Sequence, residues 1–186
     1  AQETAGEILE YDGKPILVLY HAVSGGRTED VELVYGQSLP YLRGVESLGE
    51  ELSSRYESVQ VFSREAFAKA VNDAYPEAKL SASKLERQVS VQARSASGRV
   101  IGLRVGGAYI DGRDLRKVLG LNSTQFELTY NAKQVMVSQR GYGHGVGMSQ
   151  AGAEAMARAG SSYADILHHY YTDVQIVHIV PENGPE

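Results

Sequence analysis

The residues best equipped for chemistry in this chain sit between glycines. In Arg140-Gly141-Tyr142-Gly143-His144-Gly145-Val146-Gly147-Met148-Ser149-Gln150, glycine takes every second position from 141 to 147. His144 has little side-chain cover there, and an imidazole can act as hydrogen-bond donor, general base or ligand. In an extended backbone, residues two apart share a face. One side of the segment is then bare main chain, while Tyr142, His144, Val146 and Met148 project from the other. Four glycines in register weaken a strand and need a compensating cause. Either a ligand or another backbone approaches the bare face, or the glycines take positive φ. The segment runs into Ser149-Gln150-Ala151-Gly152-Ala153-Glu154, a helix start whose unpaired N–H groups can meet an acceptor. Tight packing of a strand on a small-residue helix explains the same pattern equally well.

A second polar constellation is His21-Ala-Val-Ser24-Gly25-Gly26-Arg27-Thr28-Glu29-Asp30. It follows an apolar run, where functional loops commonly begin. Gly25-Gly26 lets main-chain amides turn toward a ligand, and Arg27 can hold a carboxylate through two N–H groups. Glu29 and Asp30 are adjacent, so in a strand they face opposite sides and make a poor acid–base pair. A turn carrying a solvated charge cluster is the competing reading. His168 and His169 are consecutive on a helix, roughly 100° apart, and cannot both face one site. They read as packing or surface residues, as does His178. No close-spaced ligand pair points to a metal. Ser24 and Ser149 lack the Gly-x-Ser-x-Gly context of a hydrolase elbow, and phosphate-loop and dinucleotide fingerprints are missing. No cofactor is expected.

The elements that must position these residues read mostly as hairpins. Gly6 to Tyr11 and Pro15 to His21 flank Asp12-Gly13, a strong hairpin signal. Ile16 to Tyr20 is nearly all apolar, which predicts a strand buried on both faces. Gln37 to Gly44 reads as loop, and Glu46 to Glu57 as a surface excursion without periodicity. Val59 to Phe62 alternates as a strand, and Ser63 caps a helix over Arg64–Ala74 that Pro76 ends. Gln88 to Ala93 and Arg99 to Val105 form a hairpin around Ser97-Gly98. Asp111 caps a short helix with Leu115, Val118 and Leu119 inward, closed by Gly120. Gln125 to Tyr130 and Gln134 to Ser138 form a further hairpin. Ala151, Ala155 and Ala159 give a helix a small-residue face. Gly160 stops it, Ser161 or Ser162 starts another, and Val174 to Val180 is a closing strand. Strands in hairpins rather than between long helices predict an α+β fold. It is mainly antiparallel, with three to four short helices and a groove between its sheet and helical parts.

Bulk properties narrow the class. The chain has 186 residues, a net charge of −5 and no cysteine. That length suits one domain, 1–186. The charge argues against a broad basic surface for nucleic acid or anionic lipid. Disulfides, thiolate catalysis and cysteine-ligated zinc are removed. No apolar run reaches the roughly 18–20 residues that span a membrane. Twelve tyrosines against three phenylalanines and no tryptophan suit partly wet grooves, a weak pointer to a polar ligand.

Four blocks occur in one order. They are His21 to Glu29, Leu39-Pro-Tyr-Leu-Arg-Gly-Val-Glu-Ser47, Gly141 to Ala153, and Tyr163-Ala-Asp-Ile-Leu-His-His-Tyr-Tyr171. Together they resemble the stage II sporulation protein D family, which includes related amidase enhancer proteins, from Gly6 through Val177. The resemblance implies a cell-envelope protein that binds peptidoglycan glycan strands. It implies cleavage of strands lacking stem peptides as a lytic transglycosylase, giving 1,6-anhydro products, in wall remodelling with a partner amidase. A non-catalytic wall-binding module that activates the amidase is the alternative. The family's catalytic glutamate lies ahead of a helix with an Ala-Leu-Lys-Ala-Gln-Ala-Val-Ala-Ala-Arg-Thr-like sequence, which nothing here matches. These residues correspond to the central and C-terminal part of the family's domain, beginning near the hairpin that follows. Secretion or membrane anchoring is then expected through a preceding segment. Among carboxylates within matching motifs, Glu29 is the candidate substitute acid. The groove wall is expected from His21, Ser24, Gly25, Gly26, Arg27, Thr28, Tyr142, His144, Gly145, Ser149 and Gln150. Some relatives bind zinc near the position of His21 with cysteine co-ligands, which this chain lacks.

Overall fold

Local chemistry starts and stops most elements of the computed structural model, which describes residues 3–179. Strands β1 (Glu7–Tyr11) and β2 (Lys14–Pro15) are joined through Asp12 and Gly13, both at positive φ, 51° and 68°. That is the turn geometry whose twist matches a two-residue hairpin. After β3 (Tyr20–His21), the single-turn helix α1 (Val31–Tyr35) ends on left-handed Gly36. Strand β4 (Glu57–Ser63) leads into α2 (Arg64–Ala74), whose Ser63 hydroxyl accepts the Ala66 N–H. Phe67, Ala68 and Val71 are its buried face. Helix α3 (Leu85–Gln88) precedes the meander β5 (Val89–Arg94), β6 (Val100–Val105) and β7 (Ala108–Asp111). The Asp111 carboxylate then accepts the Arg113 N–H to start α4 (Gly112–Leu119), and left-handed Gly120 closes it. Strands β8 (Gln125–Tyr130) and β9 (Gln134–Arg140) form the next hairpin. Short β10 (Met148–Ser149) enters α5 (Gln150–Arg158), capped by Ser149. Helix α6 (Tyr163–Tyr170) begins in a Ser162–Asp165 capping box, and β11 (Gln175–His178) ends the described chain.

The α+β class and the antiparallel pairing hold. Among the described residues, three of the four small sheets, β11-β1-β2, β4-β9-β8 and β5-β6-β7, are antiparallel; β10-β3 is a two-residue parallel pair. Four helices stand at their expected places. The additional α1 and α3 span 5 and 4 residues, too short for a 3.6-residue period to register. Among the described residues, no helix is long and apolar enough to cross a membrane. The closing strand is shorter than expected, and Val180 lies outside the described residues.

Two apolar clusters result. One joins α2, α4 and two sheets through Phe67, Leu103, Leu115, Phe126, Val135 and Val137. The other gathers Val31, Leu42, Val146, Ile166, Tyr170 and Tyr171. The expected doubly buried strand at Ile16 to Tyr20 is not formed. Leu17 and Val18 are exposed at 53% and 45%, and only Ile16 and Leu19 pack onto the second cluster. A continuous apolar run fits a buried strand or a strap over a core edge equally well, and here the neighbouring sheet already ends at Pro15. Replacing Ser63 by Ala removes the α2 cap acceptor. Urea denaturation is expected to register a loss of about 1 kcal/mol without a change in slope.

Candidate functional site

The glycine segment is a strap between the two clusters. It leaves β9 at Arg140 and crosses the loop that follows β3. Tyr142 and Val23 exchange main-chain hydrogen bonds at 2.8 and 3.1 Å, and the Glu29 N–H donates to the Gly145 carbonyl at 2.8 Å. The crossing needs glycine for both of the reasons available from sequence. Gly141, Gly143, Gly145 and Gly147 all take positive φ, between 72° and 116°. A Cβ on Gly141 would lie 2.8 Å from the Val23 and Ser24 carbonyl oxygens, and one on Gly143 2.9 Å from the His21 Cβ. One on Gly145 would run into the Arg99 guanidinium, and one on Gly147 into the Leu19 carbonyl. Approach on this scale leaves no room for any side chain.

Where the strap crosses the loop, one carboxylate organises both. Glu50 is 1% exposed. Its Oε1 accepts from the Ser24 N–H at 2.9 Å, the Ser47 hydroxyl at 2.9 Å and the Ser149 hydroxyl. Its Oε2 accepts from the Ser24 hydroxyl at 2.7 Å and from the Gly25 and Gly26 N–H groups at 2.8 and 2.9 Å. The positive φ of Gly25 and Gly26 turns successive amides inward, a main-chain nest for an anion. Because the Ser47 proton goes to Glu50, Tyr170 is the donor in its 2.7 Å bond to Ser47. Burial is the largest single influence on Glu50 and pushes its pKa up. The hydrogen bonds from Ser149, Ser24 and Gly26 together outweigh it and hold the carboxyl below its ordinary value. Glu50 is therefore a buried anion with its acceptor positions filled.

Sequence reasoning placed this carboxylate on a surface excursion, and the structure corrects that. Leu48 and Leu52 are exposed as expected, while Ser47 and Glu50 turn in. A lone Glu among serines carries no periodic signal. The available hint was the count of donors in Ser24-Gly25-Gly26, which need an acceptor of some kind.

The other side of the same loop meets a cation. Arg99 is 2% exposed, and its guanidinium donates to the Ser24 carbonyl at 2.6 Å and the Ser123 hydroxyl at 3.0 Å. Burial lowers its pKa to about 10 against the opposing pull of Glu29, so it stays protonated. Glu29 is itself buried, accepting from the Ser97 hydroxyl at 2.7 Å and the Asp30 N–H at 3.1 Å. Arg27 donates to the Gly44 carbonyl at 2.8 Å, and the Thr28 hydroxyl is bonded to the Val45 main chain. Thus Ser24, Gly25, Gly26, Arg27, Thr28 and Ser149 direct their donors into the protein, and Gln150 lies exposed on α5.

His21 and His144 are brought together, with ring centroids 5.5 Å apart. The Nδ1–H of His21 donates to the Val146 carbonyl at 3.1 Å, which leaves Nε2 as a buried acceptor without a partner. Burial first, then the charge of Arg99, lowers its pKa to about 4. In His144 the Nδ1 accepts the Val146 N–H at 3.1 Å. Burial holds this imidazole too below its usual value. Despite the free Nε2 of His21, no three of His, Asp and Glu converge among the described residues, so the donor set does not fit a metal.

Beside His144 opens a cleft of about 630 Å³, lined by Tyr35, Tyr142, Arg116, Lys117, Asn122 and Thr124 among others. Tyr35 meets the His144 ring edge-on at 6.0 Å, and the Arg55 guanidinium lies 4.9 Å over the Tyr142 ring. Tyr142 and His144 were expected in such a groove. Tyr35 lies on α1, which the sequence did not mark, and Arg116 and Lys117 lie in the last turn of α4, which the sequence marked only as a short capped helix.

A loop nested on a buried anion and strapped by glycines, beside a polar aromatic cleft, is what this α+β fold builds at the crossing. No family model matches the chain. It is 36% identical over 173 residues to the stage II sporulation protein D of Bacillus amyloliquefaciens, covering 93% of this chain and 48% of that protein. It is 35% identical over 182 residues to the protein of the same name in Bacillus subtilis, with the same two shares. The amidase enhancer of Bacillus subtilis is 27% identical over 219 residues, covering 91% of this chain and 31% of that protein. The chain belongs to the stage II sporulation protein D family and spans about half the length of the curated relatives it matches.

Two measurements check the interior. Replacing Glu50 by Gln places an amide N–H₂ against donors and removes the charge they converge on. A stability loss of about 3 kcal/mol or more is expected in urea denaturation. Acidification gives the second. Below pH 6.5 the unfolded chain takes up a proton that folded His21 refuses until about pH 4. Stability therefore falls across that window by roughly 3 kcal/mol. The depressed Glu50 adds a loss in the same direction as pH drops below the ordinary carboxyl range. Denaturation at about pH 7 and about pH 4.5 should show a smaller difference in His21→Gln than in the parent.

Proposed function

We propose that the cleft beside His144 holds a glycan strand of peptidoglycan, and that the protein works at the bacterial cell envelope in wall remodelling alongside a peptidoglycan amidase. The observation that carries this reading is the lining itself. Tyr35, Tyr142 and the ring of His144 offer flat faces, and Asn122, Thr124 and the cations of α4 offer polar groups across the same opening. A sugar strand presents apolar C–H faces alternating with hydroxyl edges and needs that mixture. The names of the relatives support the setting: two are sporulation proteins and one is an amidase enhancer. His21, Ser24, Gly25, Gly26, Arg27, Thr28, Gly145 and Ser149 act in this reading by holding the cleft wall in place.

Cleavage of lytic transglycosylase type needs a carboxylic acid to protonate the glycosidic oxygen, after which the muramyl 6-hydroxyl closes the 1,6-anhydro ring. Glu29 and Glu50 are both buried and bonded within the protein, and Asp114 is the carboxylate among the cleft-lining residues. We propose that cleavage draws its acid from outside these 186 residues. The same observation favours the second reading, a wall-binding module that activates an amidase without cutting glycan. Incubation with purified glycan strands separates the two. Soluble 1,6-anhydro products identify the first, and retention of the chain on strands without products identifies the second. No retention on strands removes both.

His144→Ala is expected to weaken retention on glycan strands by roughly tenfold, since one ring face is lost from the cleft, and to cost about 1–2 kcal/mol of stability, since the Val146 N–H loses its acceptor. Gly145→Val is expected to lower both retention and stability. Its φ of 85° and the adjacent Arg99 guanidinium leave no place for a branched side chain.

A further inference from the structure

We propose that β4 is an interaction edge that pairs antiparallel, about a two-fold axis, with β4 of a second copy of this chain. Strand β4 spans the seven residues Glu57–Ser63 and lies at the margin of its sheet, with β9 on one side. Main-chain bonds flank the β4–β9 ladder at both ends. The Gly141 N–H donates to the Tyr56 carbonyl at 2.8 Å, and the Arg64 N–H to the Lys133 carbonyl at 3.2 Å. Antiparallel bonds recur at every second residue, and the register between them runs without a shift. Ser58, Gln60 and Phe62 therefore bond β9, while the amides and carbonyls of Glu57, Val59 and Val61 point away from it. Among the described residues, no main-chain partner outside the ladder meets these three. They also carry exposed side chains, with Val59 and Val61 at 60% and 52%. An unpaired edge flanked by apolar side chains is a template for another strand.

The other edges are blunted in recognisable ways. Strand β2 is Lys14-Pro15, and β5 carries register shifts against β6. On β8 the Phe126 carbonyl is taken by the Arg94 guanidinium at 3.0 Å. Strands β7 and β11 are four residues each. By contrast, β4 has no lysine, proline or bulge, and its one charge, Glu57, is held by Arg140 at 3.0 Å.

The strand's own register names the occupant. With the axis at Gln60, Val59 comes opposite Val61 of the second copy, and Val61 opposite its Val59. Each pair exchanges both main-chain bonds and packs two β-branched side chains on the exposed face, where Met136 borders Val61. Glu57 comes opposite Ser63 of the second copy, where the positive end of α2 begins. The two Glu57 carboxylates stay about 20 Å apart, so like charges do not meet. Charge and side-chain shape are thus self-complementary. The pairing also reaches the cleft, because Asn122, one of its lining residues, donates to the Ser58 hydroxyl at 3.1 Å. In the glycan reading, one continuous sheet then joins two clefts, and a strand reaching both binds with avidity. The pairing itself does not depend on that reading.

Sedimentation equilibrium of the 186-residue chain is the test. An edge contact is small beside the roughly 1,200–2,000 Å² of stable interfaces, so a dimer with a dissociation constant of about 10–100 µM is expected. Val61→Lys is expected to weaken it roughly tenfold or more with little change in melting temperature, since the side chain is exposed. Val59→Lys is expected to do the same and carries the test should the first variant misfold. Mixing Val59→Lys with Val61→Glu is expected to restore association between unlike chains, because the register sets those positions opposite each other. A parent that stays monomeric to about 1 mM overturns the proposal, including one that takes a strand of a different protein onto β4. Association untouched by either lysine overturns the assignment to β4. Loss in the lysine variants without recovery in the mixture overturns the two-fold pairing.

Discussion

The buried carboxylate of Glu50 is the point through which the site is assembled. It accepts from three main-chain amides of the Ser24-Gly25-Gly26 turn and from hydroxyls on three separate segments, Ser24, Ser47 and Ser149. Ser149 in turn caps α5, and Ser47 receives the Tyr170 hydroxyl from α6. One anion thus fixes a loop, two helices and the end of the glycine strap. An isolated carboxylate at this depth would be expelled or protonated, because desolvation opposes the charged form. The filled shell of donors reverses that balance. Most of these donors are buried groups that would be unsatisfied without the carboxylate, so anion and shell stabilise one another.

The opposite face of the same turn explains why a second charge lies so close. With the amides of Ser24 to Gly26 turned onto Glu50, the Ser24 carbonyl faces the other way and is capped by Arg99. Arg99 requires the space that a side chain at 145 would fill, and this ties the cation to the strap. Burial lowers the pKa of Arg99, and Glu29 and Glu50 both act on it and partly offset that lowering. His21 and His144 take the neutral form in this environment. Each uses the Val146 main chain, one as donor to its carbonyl and one as acceptor of its N–H.

What the sequence made legible follows the range of the interactions. Ser63 and Asp111 caps, the Gly120 stop and the Asp12-Gly13 turn are settled within four residues, and each is found at its expected place. The glycine strap was legible as an anomaly, since four glycines in register demand either close approach or positive φ, and both are present. Ile16 to Tyr20 misled because an apolar run does not say which of its faces a core covers. Glu50 and Tyr35 were invisible for a stronger reason. Their roles depend on partners 26, 99 and 109 positions away for Ser24, Ser149 and His144, and no local pattern encodes such pairings. The resemblance between blocks supplied the order of the motifs, yet it assigned to ligand contact several donors that the fold turns onto its own carboxylate.

That inward turn bears on what chemistry these residues can do. A general acid for a glycosidic oxygen has to hold its proton near neutral pH and let it go toward the substrate, so its pKa must be raised and its carboxyl must reach the cleft. Glu50 moves the other way, held ionised by its donors, and has no free acceptor position. Glu29 has one oxygen on Ser97 and the other on its own neighbour's amide. Burial lowers the pKa of both histidines, and a neutral imidazole is too weak an acid for this step; His21 donates its Nδ1–H to the Val146 carbonyl, and His144, accepting at Nδ1, carries its proton on Nε2. The buried ionisable groups therefore serve to keep the strap and turn rigid against an open, polar and aromatic wall. Rigidity of that kind is what positioning a flexible polysaccharide requires, because affinity for such a chain is limited by the entropy of ordering it. In the glycan reading proposed above, a scaffold whose charges are fixed in advance leaves the strand as the partner that has to be ordered.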